Sequence, residues 1–366
     1  MGGNRLETDV AIIGGGPAGS AAALTLLRYT KHRVVLVEAS SYAQPRPGET
    51  VSAAILPLLE YLDAASALPS QHRIESYEAT AAWGGAEVVA RDSIFSGRGQ
   101  GFHIDRPQFD AALAARVKAI GGRLLSETWL RGVDSAGEGW RLRLARRDER
   151  VELTASQVID ATGRRASLAR TQGAQRESYD RLVGVVAYLG FPPAAALPQA
   201  ILVESEMDGW WYSAPLPGGR AVVAFMGDAG PVRDLQIARG DVFRRRLCAT
   251  VHTRARLAAG TLLGEPRVYP AHSHKLVRCI GVGWVAVGEA AAAFDPLSSL
   301  GIGHALASGI QGARVADERM RGRGTLVADF QADIDRHVST YLAERVRLYA
   351  LERRFRNAPF WAGRQM

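Results

Sequence analysis

Three glycines near the start of the chain have the spacing that lets a backbone loop hold a pyrophosphate. Gly14, Gly16 and Gly19 fit G-x-G-x-x-G between a strand-like run at 9–13 and a helix-like run at 20–29. The first glycine permits a tight turn, the second lets the backbone approach the phosphates, and the third lets the helix pack on the strand. The helix N-terminus then offers free N–H groups to the anion.

An acid follows at the place where such a site needs one. Glu38 ends the second apolar run, roughly 20 residues past the last of these glycines, where a carboxylate hydrogen-bonds an adenosine ribose diol and repels a 2′-phosphate. With Pro17 and Ala18 in the loop and Ala39 after the acid, the order predicts an adenine-dinucleotide site and argues against tight NADP binding. This motif alone does not separate NAD from FAD.

A second glycine-rich loop lies far along the chain. Residues 287–303 read VGEAAAAFDPLSSLGIG, in which an apolar run stops at a Gly-Glu pair, crosses alanines, meets Asp-Pro and restarts as a helix. An acid, a proline and a pair of glycines thus stand beside a helix start, far along the chain from the first glycine-rich loop.

The elements that position these loops belong to a large globular chain. Its 366 residues, 47% hydrophobic and 22% charged, suit two intergrown domains. Cys248 and Cys279 have no paired spacing, which predicts a reduced, cytoplasmic protein. We find no signal peptide and no apolar run of about 18 residues that would span a membrane. The net charge of +8 comes from scattered arginines, so we predict a solvated surface and no nucleic-acid partner, with an acidic partner as the alternative.

The order of the remaining motifs carries a resemblance. The chain is similar to the FAD-dependent monooxygenase and flavin-dependent halogenase superfamily over nearly its whole length. The matching segments, in chain order, are GGGPAG, the acid after the second strand, R-P-G-E at 46–49, I-D-R-x-x-F-D at 104–110, D-A-T-G at 160–163, and G-E-A-A-x-x-x-D-P with G-I-G at 288–303.

The resemblance implies an α/β fold of the glutathione-reductase type. A Rossmann-type FAD-binding domain, a parallel sheet with helices, would carry an inserted antiparallel-sheet substrate domain and a C-terminal helical tail. The expected boundaries are 1–75, 100–175 and 271–324 for the FAD-binding domain, 76–99 and 176–270 for the substrate domain, and 325–366 for the tail.

The resemblance also implies that the second loop folds back beside the first and holds the same FAD. Glu289, where the family usually has aspartate, would contact a ribityl hydroxyl or lie beside the pyrophosphate, and Pro296 would lie near the reactive edge of the flavin. Gly301, Ile302 and Gly303 would present N–H groups to the pyrimidine oxygen of a reduced flavin. The other FAD-binding residues expected from the resemblance are Arg46, Arg106, Leu130 and Gly163.

The richest part of the substrate domain is an aromatic hairpin at 208–228. Trp210 and Tyr212 alternate with Trp211 along one strand, so the first two share a face. We predict that Trp210, Tyr212 and Phe225 line the substrate pocket, the alternative for each being ordinary packing of the sheet against a helix.

Three departures argue against halogenation. The halogenase pattern W-x-W-x-I-P is replaced by W-W-Y-S-A-P, and the Glu-Ser-Thr of the second loop by Ser-Ser-Leu at 298–300. In halogenases a lysine captures hypohalous acid, but the corresponding slot holds Glu78. A closer resemblance is to the LodB/GoxB-like and QhpG-like flavoproteins that modify protein tryptophan during maturation of quinone cofactors, carried by WWYSAPLPGG, AFDPLSS and ERRFRNAPFW.

This resemblance implies an FAD-dependent monooxygenase. It would hydroxylate an electron-rich aromatic, most simply a tryptophan of a partner protein or peptide during cysteine tryptophylquinone-type biosynthesis, through a flavin C4a-hydroperoxide formed with O₂. Electrons would come from NAD(P)H or a separate flavin reductase. The alternatives are a small-molecule aromatic hydroxylase or halogenase, a geranylgeranyl-reductase-like FAD reductase, and a flavin-bearing maturation chaperone.

The candidates for a catalytic base are Glu49, Glu78 and His304, with His103 as a further imidazole. Helix capping by the first and ordinary burial of the third are the alternatives. His272 and His274 share a strand face but have no third ligand at metal spacing, so we predict no metal site.

Overall fold

The structure, a computed structural model, describes residues 4–76, 78–90, 101–137, 139–147, 149–195 and 197–365. The strands in chain order are β1 (Asn4–Ile13), β2 (Val34–Val37), β3 (Thr50–Ser52), β4 (Arg73–Ser76), β5 (Ala79–Ala82), β6 (Val89–Ala90), β7 (Gly101–Ile104), β8 (Arg123–Leu125), β9 (Thr128–Ala136), β10 (Gly139–Arg146), β11 (Glu149–Asp160), β12 (Arg176–Ser178), β13 (Leu182–Gly190), β14 (Ile201–Glu206), β15 (Gly209–Leu216), β16 (Arg220–Asp228), β17 (Thr261–Leu262), β18 (Arg267–Pro270), β19 (His274–Leu276), β20 (Ile280–Gly281), β21 (Trp284–Ala286) and β22 (Ala292–Ala293).

Helices cover these sheets on several sides. Their bounds are α1 (Pro17–Tyr29), α2 (Leu56–Tyr61), α3 (Arg106–Ala119), α4 (Ser167–Thr171), α5 (Ala229–Asp234), α6 (Gly240–Ala249), α7 (His252–Leu257), α8 (Gly301–Met320), α9 (Thr325–Ala350) and α10 (Pro359–Ala362). None of the helices in the described ranges is both long and apolar enough to cross a membrane.

The first large sheet is built around β1, whose last four residues, 10–13, are apolar and buried. Its order is β20-β21-β11-β1-β2-β8, and β1 is parallel to both β2 and β11. Strands buried on both faces read as continuous apolar runs, which is why 9–13 lacks alternation. β9 and β10 continue this sheet from β11 as antiparallel strands. The predicted Rossmann-type α/β fold is confirmed.

Helices α1 and α8 pack closely on this sheet because both use small residues at their contact. A Cβ atom built on Gly309 would lie 2.2 Å from the carbonyl oxygen of Ala18, and one built on Gly288 would lie 2.7 Å from the Ala18 Cβ. The backbones can approach only because these side chains are absent. The close approach brings α8 against the first turn of α1.

The second large sheet is mainly antiparallel, with the order β17-β13-β16-β15-β14-β5-β6. One of its faces packs against α5, α6 and α7, where Trp211, Phe225 and Phe243 form a buried cluster. The other face carries Trp210 and Tyr212 and packs against the C-terminal segment. Of the predicted insertion at 76–99, residue 77 and residues 91–99 lie outside the described residues.

The predicted C-terminal tail is an integral part of the molecule. Along α9, Tyr341, Arg345 and Tyr349 recur every four residues and face inward. The Tyr341 hydroxyl accepts a hydrogen bond from the Asp295 N–H at 2.9 Å, and Tyr349 donates to the Asp295 carboxylate at 2.7 Å. We call these three side chains the α9 stripe.

The α9 stripe joins the parts of the chain that carry the two large sheets. Arg345 pairs with Asp180 at 2.8 Å, and the Tyr349 hydroxyl also accepts from the Trp210 indole at 3.0 Å. Beyond the helix, the Trp361 indole donates to the Glu206 carbonyl at 2.9 Å. The tail therefore docks internally, against the second sheet.

Candidate functional site

Two helix N-termini without side-chain caps meet at one edge of the first sheet. α1 begins after Gly16 with Pro17 as its first residue, and α8 begins at Gly301; neither start has a side-chain cap hydrogen bond. Ala18 in the first turn of α1 lies against Gly288. The two glycine-rich loops thus lie side by side, as the resemblance implies.

The glycines of these loops fall into two classes. A Cβ atom on Gly14 would lie 2.1 Å from the Ala161 carbonyl oxygen, and one on Gly19 would lie 1.8 Å from the Gly14 carbonyl oxygen. Gly14 also has a φ of +109°, so the fold itself requires it. In contrast, nothing lies within 4 Å of a Cβ built on Gly16, Gly301 or Gly303. These three leave open space over bare backbone, which is where a ligand can approach.

Glu38 closes the same site at the end of β2. Its carboxylate accepts hydrogen bonds from the N–H groups of Gly15 at 2.7 Å and Ser40 at 2.8 Å, and from Arg46 at 3.0 Å. Burial favours the protonated acid, but the hydrogen bonds from Ser40 and Gly15 and the Arg46 charge outweigh it and lower the pKa of Glu38. Ala39 follows in a bend. An ionised acceptor therefore lies beside the loop, as a ribose diol requires.

A buried carboxylate fixes the two arginines expected at this end. Asp110, fully buried on α3, contacts Arg46 at 3.4 Å and Arg106 at 3.3 Å. Arg106 also donates to the Pro47 carbonyl at 2.8 Å, which fixes the loop before Glu49. The arginines are thus held by the protein, and their role toward a ligand stays a prediction. Sequence reasoning included Asp110 in the segment at 104–110 but gave it no role, although its i, i+4 spacing from Arg106 signals an ion pair.

Leu130 lies near the start of β9, and Gly163 lies in the turn that follows β11. Thr128, at the start of β9, donates its N–H to the Glu38 carbonyl at 2.9 Å, and Leu130 follows two residues later, partly buried against the main core. Gly163 has a φ of +61°, and a Cβ built there would lie 3.9 Å from a Glu289 carboxylate oxygen. Gly163 therefore lies beside the second glycine-rich loop, and the contact of Leu130 with a cofactor stays a prediction.

The loop at 288–300 places its acid and its proline differently. The Glu289 carboxylate is half exposed and pairs with Arg164 at 3.0 Å. Pro296 is exposed and starts a single helical turn that Asp295 caps through the Leu297 N–H. Ile302 is buried while Gly301 is exposed. The half-exposed acid, the exposed proline and the exposed Gly301 at the start of α8 thus all reach the surface of the protein.

The residues present fit a flavin dinucleotide. Two uncapped helix starts with open glycines suit a pyrophosphate and an anionic ring, and an ionised Glu38 suits a ribose. The residues that would hold FAD are the two glycine loops, Glu38, Gly163 and Glu289.

The comparisons with known proteins agree with this geometry. Residues 9–180 match the FAD dependent oxidoreductase family. The chain is 31% identical, over 97% of its length and 96% of the relative's, to LodB of Marinomonas mediterranea, described as an FAD-dependent oxidoreductase. The chain belongs to the FAD-dependent oxidoreductases.

Other proteins similar to this oxidoreductase are described as halogenases or as a tryptophan dihydroxylase. It is 24% identical to a tryptophan 2-halogenase of Chondromyces crocatus, of which it spans 60%. Among solved structures, the halogenase CmlS superposes with a TM-score of 0.86 at 23% identity, covering 98% of this chain and 68% of that one. The peptidyl tryptophan dihydroxylase QhpG superposes with a TM-score of 0.79 at 26% identity, covering 98% and 79%.

Glu49 lies between the loop at 46–48, which precedes it, and the second large sheet of the oxidoreductase. It is buried, and its carboxylate accepts from the Tyr188 hydroxyl at 2.7 Å and from the Gly48 N–H at 2.8 Å. Burial raises the pKa of Glu49, and the hydrogen bond from Tyr188 opposes this only in part. It does not cap the following helix, because the cap of that turn is Ser52. Glu49 keeps the properties of a candidate base.

Thr50 makes the neighbouring contact to the same sheet face. Its hydroxyl lies 2.6 Å from the Tyr212 hydroxyl and 2.9 Å from His103 Nδ1. Tyr212 is partly exposed, so it stays a candidate substrate contact. Tyr188 and Thr50 were missed from sequence, although Tyr188 is the only residue of β13 with a polar side-chain atom.

The two other predicted pocket aromatics need correction. Trp210 is 1% exposed and packs on Trp83 with its indole N–H bound to Tyr349, so it does not line an open pocket. The prediction for Phe225 is also wrong, because it lies on the opposite face of the sheet, tilted against Trp211 and covered by the Arg246 guanidinium. Only Tyr212 of the three remains at the candidate site.

Two predicted catalytic residues are also placed unfavourably. His304 is buried against Phe294 and His337, and burial with the neighbouring imidazole lowers its pKa to about 3, which makes it a weak base. Glu78 is exposed at the start of β5. In the described ranges no group of three His, Cys, Asp or Glu side chains could hold a metal ion.

Proposed function

We propose that this oxidoreductase is an FAD-dependent monooxygenase that hydroxylates an electron-rich aromatic, with a protein or peptide tryptophan as the preferred substrate. The similarity to LodB and to the tryptophan dihydroxylase QhpG supports this. Bound FAD, once reduced, would supply two electrons to dioxygen. One oxygen atom then replaces a ring hydrogen as hydroxyl, and the other leaves as water with two protons.

The observation that carries the proposal is the pair of hydrogen bonds that join residues 49 and 50 to the second large sheet. Glu49 contacts Tyr188 and Thr50 contacts Tyr212, so that a buried carboxylate and two phenols lie there. A carboxylate with a raised pKa suits removal of the proton from a hydroxylated ring carbon.

The positions of the lysines favour hydroxylation over halogenation. The chain has three lysines, and each lies away from Glu49, Thr50 and the tyrosines that these two residues contact. Lys31 follows α1, Lys118 is in α3, and Lys275 in β19 pairs with Asp335 at 2.6 Å. The amine that captures hypohalous acid in halogenases therefore has no counterpart in the second sheet.

The partners follow from the proposal. A precursor polypeptide would carry the target tryptophan, and electrons would come from NAD(P)H or a separate flavin reductase. The alternative occupant of the same site is a small aromatic molecule.

The test is turnover under ¹⁸O₂. FAD-loaded protein, a flavin reductase and NADH are incubated with tryptophan-containing polypeptides and free tryptophan, with bromide present. We expect incorporation of one or more ¹⁸O atoms into a tryptophan. A bromine isotope pattern would instead establish halogenation, and saturation of an isolated double bond without oxygen would establish a reductase. A Glu49→Gln variant that loses turnover while binding FAD supports its role as base.

A further inference from the structure

A hydrogen-bond chain runs from the Tyr212 phenol into the protein. Tyr212 contacts Thr50 at 2.6 Å, Thr50 contacts His103 Nδ1 at 2.9 Å, and His103 Nε2 contacts the Gln199 carbonyl oxygen at 2.7 Å. His103 is fully buried in β7, and Thr50 is its partner in the β3–β7 pairing. The chain thus ends on a backbone group whose chemistry is fixed.

The direction of every hydrogen bond follows from that end. A backbone carbonyl can only accept, so His103 Nε2 carries a hydrogen. Burial lowers the pKa of His103 to about 4; the hydrogen bond to Gln199 opposes this effect, and the positive charge of Arg256 adds to it. The ring is therefore neutral at physiological pH. A neutral imidazole has one N–H, and His103 Nδ1 must therefore accept.

The donor and acceptor roles of the Thr50 and Tyr212 hydroxyls are then fixed as well. Thr50 uses its one hydrogen on His103 Nδ1, so its oxygen must accept from Tyr212. The Tyr212 hydrogen is committed inward, and no further partner contacts its oxygen among the residues that the structure describes. The Tyr212 oxygen therefore keeps a lone pair and has no hydrogen left to donate.

Tyr212 lies on the face of the second large sheet that also carries Trp210. It is partly exposed and lies two residues along β15 from Trp210, about 7 Å away on the same face. Trp210 binds Tyr349, which holds the loop that carries Pro296. Tyr188, on the same face, likewise donates inward to Glu49. Tyr212 and Tyr188 therefore share one face of the sheet, each with its hydroxyl hydrogen directed inward.

We propose that Tyr212 determines specificity by accepting a hydrogen bond from a ring N–H, so that the site takes indoles and discriminates against aromatics without a donor. The proposal deepens the proposed function and rests on it for the site's role, but its test needs no turnover. An indole offers one donor and no acceptor, which matches a phenol oxygen that can only accept. An aromatic without that hydrogen leaves the oxygen desolvated and unpaired, which costs roughly tenfold or more in affinity.

The probes are indole and benzofuran, which have nearly the same shape but differ by N–H against ring oxygen. Dissociation constants are measured by calorimetry on FAD-loaded, oxidised protein without reductant. We expect indole to bind roughly tenfold tighter than benzofuran. In Tyr212→Phe the phenol oxygen is gone, so indole loses its acceptor and benzofuran no longer leaves an oxygen unpaired; the tenfold preference should disappear. Thr50→Val, which frees the Tyr212 hydrogen, should shrink the preference.

Thr50→Ser keeps the hydroxyl and is the matched control: it should keep the preference. FAD content and circular dichroism establish that each variant is folded. Equal affinities for the two probes in the unaltered protein, no saturable indole binding, or an unchanged preference in Tyr212→Phe would each overturn the proposal. Hydroxylation can fail with the preference intact, or succeed with the preference absent, so the outcomes separate this inference from the proposed function.

Discussion

A single methyl group at Gly16 should separate folding from cofactor binding. Gly16 has φ −72° and ψ −173°, a conformation that alanine adopts without strain, and nothing lies within 4 Å of the position its Cβ would take. The protein therefore tolerates Gly16→Ala. The methyl group, however, occupies the open space above the N-terminus of α1, where the pyrophosphate of FAD would approach.

The expected magnitudes differ for the two properties. Replacing glycine by alanine at a compatible conformation stabilises the folded state by about 0.4–1 kcal/mol, because the unfolded chain loses freedom. Gly16 is the N-cap of α1, where alanine is the poorer residue by a similar amount, so the free energy of unfolding should change little. For FAD, displacement of the phosphates from the N–H groups weakens charge-assisted hydrogen bonds worth about 1.5–3 kcal/mol. That loss corresponds to a dissociation constant raised by roughly 10- to 150-fold.

The assay measures both quantities on the same preparation. Urea unfolding of apoprotein gives the free energy of unfolding, and flavin fluorescence quenching gives the FAD dissociation constant. Gly19→Ala is the contrasting variant, since its Cβ would lie 1.8 Å from the Gly14 carbonyl oxygen and should prevent folding. Unchanged FAD affinity in folded Gly16→Ala would refute the assignment of this loop to the cofactor.

Three further substitutions test other parts of the structure. Glu49→Gln should stabilise the protein increasingly as the pH rises: burial raises the pKa of Glu49 in the folded state, so the stability linked to its protonation is full below about pH 4.5 and is lost as pH rises through the folded pKa. Urea unfolding at about pH 5 and pH 8 measures the trend, and a difference that does not change with pH contradicts it. Trp361→Ala should lower the free energy of unfolding by about 3–5 kcal/mol, because the indole is fully buried; a loss below about 1 kcal/mol would mean that the tail is not docked. Asp160→Asn should cost about 1–3 kcal/mol, since the carboxylate accepts from the N–H groups of Leu168 and Ala169 and an amide cannot serve every donor; equal stability of the two proteins would contradict this.

Sequence-local features of the site were predictable. Gly14, Gly16, Gly19 and Glu38 are positioned by one strand–helix–strand unit, so their spacing along the chain determines their spacing in space. The pairing of the second loop with the first came from the family resemblance. The reason for that pairing, the contact of Gly309 with Ala18, joins residues too far apart in sequence for a local pattern to show.

The face of Phe225 could not be read from local alternation because it depends on hairpin register. Leu216 pairs with Arg220 across a three-residue turn, so Phe225 pairs with Trp211 rather than with Trp210. A Pro-Gly-Gly turn is also compatible with a two-residue loop, and a shift by one residue moves every side chain of β16 to the other face. The burial of Trp210 could not be predicted for a different reason: its partner Tyr349 is 139 residues away in the sequence.

The α9 stripe sets a limit on how this scaffold can be recombined. Tyr341, Arg345 and Tyr349 each contact residues that belong to different stretches of the chain, among them Asp295 on the flavin side and Trp210 on the sheet. A chimera that exchanged the substrate sheet alone would leave the Trp210 indole contact and the Arg345–Asp180 pair mismatched. The sheet and the C-terminal helix must therefore be exchanged together, although about 100 residues separate the end of β16 from the start of α9 in sequence.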